Sequence, residues 1–306
     1  MRPGYGLYLP ARPWRDELPL LVMLHGCKQD ARDFAMGTAM NRLAEREGFA
    51  VLYPEQDAQV NSMRCWNWFR RDVMQGGSEA HELVALIERI RDRYGLDPRR
   101  VYIAGMSAGA AMAQILAVHY PTLFAAAALH SGLMFHAAAT PWQALGAMRR
   151  GSWYSPAFGA RAAHPGANPI PWVPTLLIHG EKDHVVSPRN AEQLAEQVCA
   201  LAKSAHGTSD QEVNRTDHTD VEGGRTCKVQ EWSSDGRLIV RLCLIGELGH
   251  AWSGGDPTLP FNDAAGPDAS RMIWNFLQAF RRPVNAAPPA LAAAGSAWGR
   301  SLAQRG

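Results

Sequence analysis

The sequence predicts an α/β protein: a mostly parallel central sheet with helices on both faces and a small cap-like insert. Three observations lead there. Short, continuous apolar runs such as PLLVMLH (19–25) and RVYIAG (100–105) read as strands buried on both faces rather than as half-exposed ones. Stretches with helical apolar spacing separate them, as strand–helix–strand units require. A chain of 306 residues, 46% apolar and 20% charged, can bury one sizeable core.

Residues 19–25 are the first predicted strand and end in His25-Gly26. Residues 31–47 have helical spacing through Phe34, Met40, Leu43 and Ala44. FAVLYP (49–54) is the second strand. Ser78 is placed to cap a helix that shares Leu83, Leu86, Ile87 and Ile90 on one face, with Glu79 and Glu82 suiting the dipole of its first turn. The strand at 100–105 turns at once into an Ala-rich helix, 108–119, stopped by Pro121. FAAAALH (124–130) and PTLLIH (174–179) are two more buried strands. A helix starts at Ser187-Pro188, with Pro at its first position, and runs to about Leu201. Asp268 caps the last helix, 269–280.

Three stretches interrupt the alternation. Residues 133–172 form an insert rich in Ala, Gly and aromatics, 203–224 read as a polar loop, and 283–306 have the composition of a disordered tail. Residues 1–282 are therefore expected to form a single domain. Residues 225–232 and 237–244 flank Ser-Ser-Asp-Gly, a hairpin signal. A three-residue turn at Ser234-Asp235-Gly236 would set Cys227 opposite Cys243, as a cross-strand disulfide or as two half-buried thiols.

Composition excludes several classes. Lys plus Arg is 31 against 29 Asp plus Glu, a net charge of +2, without the basic stripe that nucleic acid or anionic lipid demands. No apolar run approaches the roughly 18 residues of a membrane span. The N-terminal segment has no apolar signal-peptide core, so the chain is expected to be cytoplasmic if Met1 is its native start, and secreted or periplasmic if a leader was removed. The five cysteines are too few for a disulfide scaffold, and none sits at CxxC or zinc-ligand spacing; no metal or cofactor is expected. Ten tryptophans are a surplus, and three of them lie in the insert.

The chemistry concentrates in Gly105-Met106-Ser107-Ala108-Gly109, a GxSxG that follows a predicted strand and opens a helix. That context is what a nucleophile elbow requires. Gly105 and Gly109 let backbones pass where a side chain would clash. A serine hydroxyl needs an adjacent base, itself oriented by an acid, in the chain order Ser, Asp/Glu, His. Asp183 stands just past a strand end, with Glu181 as its rival and Asp217 and Asp220 as weaker ones. Of the histidines that follow, His184 adjoins Asp183, and His206 and His218 lie in the polar segment. His250, between the hairpin and the last helix, is the expected base. His25, His130 and His179 end strands and read as packing or hydrogen-bonding residues. The expected oxyanion donors are the backbone amides of Ala108 and Cys27.

These residues resemble the polyhydroxybutyrate depolymerase-like esterases, α/β hydrolases that include feruloyl and acetylxylan esterases. The resemblance runs from about Tyr5 to Arg282, on LHGCKQ (24–29), CWNWF (65–69), GMSAGAAM (105–112), HSGL (130–133), HGEKD (179–183) and GHAWSGG (249–255). It implies an α/β-hydrolase fold and a Ser107–Asp183–His250 triad that forms an acyl-enzyme. It also implies ester substrates, either short hydroxyacyl oligomers or the acyl groups of plant polysaccharides. Met134-Phe135-His136 replaces a smaller, Gly-rich stretch, and no polymer-binding domain follows 282, so soluble oligomers or small esters are the expected substrates. Trp66, Asn67, Trp68 and Trp252 are the candidate substrate-binding residues, with Trp142, Trp153, Tyr154, Phe158 and Trp172 of the insert as a candidate cap over the pocket. A peptidase or a non-catalytic binding protein on the same fold are the rival readings; no acidic pair or propeller domain for gripping a peptide terminus is visible.

Overall fold

Alternate residues of each central strand enter opposite faces of one sheet, as the period of two dictates. Leu20, Val22 and Leu24 join one apolar layer, while Leu21 and Met23 join the other. The computed structural model describes residues 4–11, 16–163, 172–205 and 213–283. In chain order the elements are β1 (Gly4–Tyr8), β2 (Leu20–Leu24), α1 (Ala31–Gly37), α2 (Met40–Glu47), β3 (Ala50–Glu55), α3 (Arg71–Met74) and α4 (Glu79–Arg93). Next come β4 (Val101–Met106), α5 (Ala108–His119), β5 (Ala126–His130), α6 (Pro141–Arg150), α7 (Pro156–Ala163), β6 (Thr175–Gly180) and α8 (Arg189–Ala205). The chain continues with β7 (Asn214–Glu222), β8 (Arg225–Ser234), β9 (Arg237–Ile245), β10 (Trp252–Ser253), β11 (Asn262–Asp263) and α9 (Ala269–Leu277).

The main sheet has nine strands in the order β1-β3-β2-β4-β5-β6-β9-β8-β7. The run from β3 to β9 is parallel; β1, β8 and β7 pair antiparallel at the two ends. Residues of α4, α5 and α8 fill one apolar layer, and residues of α1, α2 and α9 fill the other. No helix among the described residues is long and apolar enough to cross a membrane.

The structure departs from the sequence expectations in several places. The stretch 31–47 is two helices, broken where Ala39 takes a left-handed conformation (φ 51°). Ser78 precedes α4 without capping it through its side chain, because its backbone is also left-handed in φ (50°). The last helix ends at Leu277. Within the supposed polar loop, 214–222 is an edge strand, wholly exposed and therefore without apolar alternation to betray it. The hairpin turns on two residues, Ser234 pairing with Arg237, and a bulge after Trp232 sets Cys227 opposite Ile245. Cys227 and Cys243 are thus diagonal neighbours with free thiols, while Cys27 and Cys65 form a disulfide. The expected tail from 284 onward, residues 164–171 of the insert, and Trp14, His206 and Trp298 lie outside the described residues.

The insert is clipped to the body by one stripe of α8. Residues 190, 193 and 197 follow the i, i+3, i+7 spacing of a single helix face. Asn190 Nδ2 donates to the Ala147 and Met148 carbonyls (3.0 and 3.1 Å). Gln193 grips Ser152 by both backbone groups, accepting from its N–H at 2.8 Å and donating to its carbonyl at 2.9 Å. Gln197 does the same to Phe135, both bonds at 2.8 Å. A side-chain amide carries both an acceptor oxygen and donor N–H groups, so one residue can satisfy an N–H and a C=O together, and these residues close backbone positions that no strand reaches.

Candidate active site

Ser107 sits between β4 and α5 with φ 55° and ψ −120°, a conformation that L residues seldom adopt. Packing enforces it. A Cβ on Gly105 would fall 2.5 Å from the Gly109 backbone, and one on Gly109 would fall 2.1 Å from the Leu24 carbonyl oxygen. The two glycines thus let α5 press against both its own strand and β2. The Ser107 amide donates to the His130 carbonyl (2.9 Å), tying the turn to the end of β5.

Three loops then converge. The Ser107 hydroxyl lies 3.0 Å from His250 Nε2, and His250 Nδ1 donates to Asp183 Oδ2 at 2.7 Å. The other oxygen of Asp183 accepts the amides of Val185 (2.9 Å) and Val186 (2.8 Å). Burial pushes the Asp183 carboxyl up, but the hydrogen bond and charge of His250, aided by His179 and the Val186 amide, outweigh it and hold the group below the ordinary carboxylate range. The rivals point elsewhere: Glu181 takes Lys228 at 2.8 Å, Asp217 takes Arg215 at 2.8 Å, and Asp220 lies 3.4 Å from His218 on the exposed strand β7. His184 is exposed.

The strand-end histidines surround this line. His179 Nε2 bonds the Val186 carbonyl at 2.8 Å and stands 3.5 Å from Asp183 Oδ2. His130 stacks on Trp252, two residues past His250 (centroids 5.1 Å, 19°), and burial pushes its pKa down to about 3. Burial likewise lowers His179 and His25. All three are therefore neutral near pH 7.

His25 also shapes the loop after β2. It accepts the Gln56 amide at Nε2 (3.1 Å), so Nδ1 carries the proton and donates to the Gly26 carbonyl (2.7 Å). In a trans peptide, turning the Gly26 carbonyl toward His25 turns the Cys27 N–H the opposite way. Gln29 Oε1 accepts the Gly26 amide (2.9 Å), and the Cys27–Cys65 disulfide and the Lys28 N–H to Met63 carbonyl bond (2.7 Å) fix the far side. This loop abuts the Ser107 turn, since a Cβ on Gly26 would be 3.6 Å from Ser107 Cβ. Gly26-Cys27 and Ala108 thus adjoin Ser107 from two chain segments.

The candidate substrate residues lie deeper than expected. Trp66 is 1% exposed, with its indole N–H on the His25 carbonyl (3.0 Å). Asn67 is buried and held by Glu79 and Asn61. Trp68 is buried, and Trp252 gives its N–H to Ser270 (3.1 Å). The polar atoms of Trp66, Asn67 and Trp252 are already engaged inside the protein, so these side chains back the loop after β2 and the His250 loop instead of offering polar groups to a ligand. In the insert, Trp142 and Trp153 are each 84% exposed, while Tyr154 and Trp172 pack against the core. The roles of His25, Gln29 and Gln56 escaped the sequence reading because each depends on a partner far along the chain or on a loop conformation.

The profile described as esterase PHB depolymerase matches residues 3–220. Poly(3-hydroxyalkanoate) depolymerase C of Paucimonas lemoignei is 34% identical over 238 residues, covering 76% of this chain and 54% of that protein. Feruloyl esterase B of Thermothelomyces thermophilus is 31% identical over 193 residues, covering 58% of this chain and 64% of that one. The chain thus spans between half and two thirds of the length of these relatives. In fold it matches an acetyl xylan esterase from Aspergillus awamori at a TM-score of 0.64 and 22% identity, over 81% of this chain and 89% of that chain.

Proposed function

The chain belongs to the esterase PHB depolymerase family of α/β hydrolases, and from that premise we propose that it is a serine carboxylesterase acting on short hydroxyacyl oligomers or small esters. The observation that carries the proposal is the unbroken line Ser107–His250–Asp183, with bonds of 3.0 and 2.7 Å.

Ser107 Oγ attacks the ester carbonyl as His250 Nε2 takes its proton. Asp183 keeps the Nδ1 proton in place and stabilises the imidazolium. Its two backbone donors and His250 leave the carboxylate one way to face. The Cys27 and Ala108 amides stabilise the negative oxygen of the tetrahedral intermediate. His250 returns the proton to the leaving alcohol, giving an acyl-enzyme, and water repeats the cycle.

Competition among 3-hydroxybutyrate oligomers, feruloyl esters and acetylated sugars, with Ser107→Ala as control, tests this reading. The expected result is hydrolysis with the highest kcat/KM on the hydroxyacyl oligomers and loss of all three activities in Ser107→Ala. A preference for feruloyl or acetylated sugar esters would move the chain toward the carbohydrate esterases. Activity surviving in Ser107→Ala would overturn the mechanism.

A further inference from the structure

No Asp or Glu occurs between Asp97 and Glu181, so the formal charges of the insert are Arg149, Arg150 and Arg161 alone. Helical spacing sets Trp142, Leu145 and Arg149 along the outer side of α6, while Ala144 and Ala147 face the body. Trp142 is 84% exposed and Leu145 41%. With Gly146, Arg149 and Arg150 they line an open groove of about 280 Å³. Arg150 folds back over the groove floor: its Nη2 lies 4.0 Å from where a Cβ on Gly146 would stand.

The two arginines occupy the last turn of α6, where exposed carbonyls favour cations. Here two of those carbonyls have other partners. Ala147 O takes the Gly151 amide and Asn190, and Met148 O takes Asn190 and the Ser187 amide (2.7 Å). Among the described residues no hydrogen bond or ion pair takes either guanidinium, and the insert supplies no carboxylate to neutralise them. The groove is an apolar wall with a cationic end. Its place is also specific: Ser187, bonded to Met148, follows Asp183 in one short loop, so the cationic end lies beside the loop that carries the catalytic acid.

We propose that this groove binds the free carboxylate end of a short ester oligomer, the apolar chain lying along Trp142 and Leu145 and the carboxylate on Arg149 and Arg150. The inference deepens the esterase reading and rests on it for the ligand's class. Arg suits a terminal carboxylate because its planar fork can take both oxygens at once. A nucleic acid would call for a longer run of cations to match its phosphates.

The test is calorimetric titration of the Ser107→Ala protein with the linear trimer of 3-hydroxybutyrate and with the methyl ester of that trimer. The acid should bind about tenfold tighter, the worth of one charge-assisted contact. That advantage should shrink as salt is raised. In the R149Q/R150Q background the ratio should fall to about one, and R149K/R150K should keep part of it, because charge survives while the fork is lost. Equal affinities, no measurable binding, or a ratio untouched by R149Q/R150Q would overturn the proposal. So would arginine-dependent binding of polygalacturonate or an oligonucleotide in place of the trimer. Turnover of p-nitrophenyl acetate by the wild type tests the esterase reading separately, so each failure is recognisable by itself.

Discussion

Gly109→Ala should separate Ser107, the proposed nucleophile, from the Cys27 amide, one of its two proposed oxyanion donors, without removing either. The new Cβ would stand 2.1 Å from the Leu24 carbonyl oxygen and 2.5 Å from that of His25. Both neighbours are backbone, so no side chain can swing away, and α5 and the end of β2 must part by about 1 Å to restore contact distance. Ser107 moves with α5, and Gly26-Cys27 moves with β2. A displacement of about 1 Å in a catalytic constellation costs roughly 100-fold in rate, while overpacking of this size costs about 1–3 kcal/mol of stability. The assay is kcat on p-nitrophenyl acetate beside thermal unfolding. Gly249→Ala is the matched control: it adjoins His250, the proposed base, in an equally distinctive motif, yet its Cβ would meet nothing within 4 Å. It should keep kcat within about twofold. If Gly109→Ala kept more than half the wild-type kcat, or if the two variants lost activity equally, the close-approach argument would be wrong.

Other perturbations follow from the same contacts. His25, His130 and His179 have folded pKa values below the unfolded value, so the unfolded chain binds more protons between the two. Stability should be complete above about pH 6.5 and fall on acidification by up to roughly 1.4 kcal/mol per pH unit for each histidine; a melting temperature flat from pH 7 to pH 5 would refute their burial as neutral rings. Gln197→Ala strands both backbone groups of Phe135 and should cost about 2–4 kcal/mol, measured by denaturant unfolding; a cost below about 0.5 kcal/mol would mean the insert is not held there. His179→Phe removes the donor to Val186 and should lower kcat about tenfold with little change in KM. His179→Gln, which retains an N–H, should recover most of that loss, and equal kcat in wild type and His179→Phe would show that the loop holds Asp183 unaided.

Much of the fold was legible because buried parallel strands are continuous apolar runs, and β2, β4, β5 and β6 fall where those runs lie. The elbow glycines were legible for a physical reason: only a residue without Cβ permits the approach of α5 to β2. What escaped had no local signature. Strand β7 is exposed on every residue, and its pairing depends on β8 rather than on its own pattern. The hairpin register turned on a two-residue turn and one bulge after Trp232, which together shifted Cys227 past Cys243. The aromatic motif residues carried family likeness but not their orientation; Trp66 points its N–H at His25, a partner 41 residues away. The α8 clip uses a polar stripe on a helix whose apolar face reads as ordinary core packing, so nothing in the spacing of 190, 193 and 197 announces a grip on Ser152 and Phe135.

The central claim is that Ser107 is a nucleophile activated by His250 and Asp183. Reaction with a fluorophosphonate followed by peptide mass mapping measures it directly, because stoichiometric labelling requires an activated serine. A single adduct is expected on the peptide containing Ser107, with labelling slowed by orders of magnitude in His250→Ala and none in Ser107→Ala. An adduct on another residue, or equally fast labelling of Ser107 without His250, would contradict it.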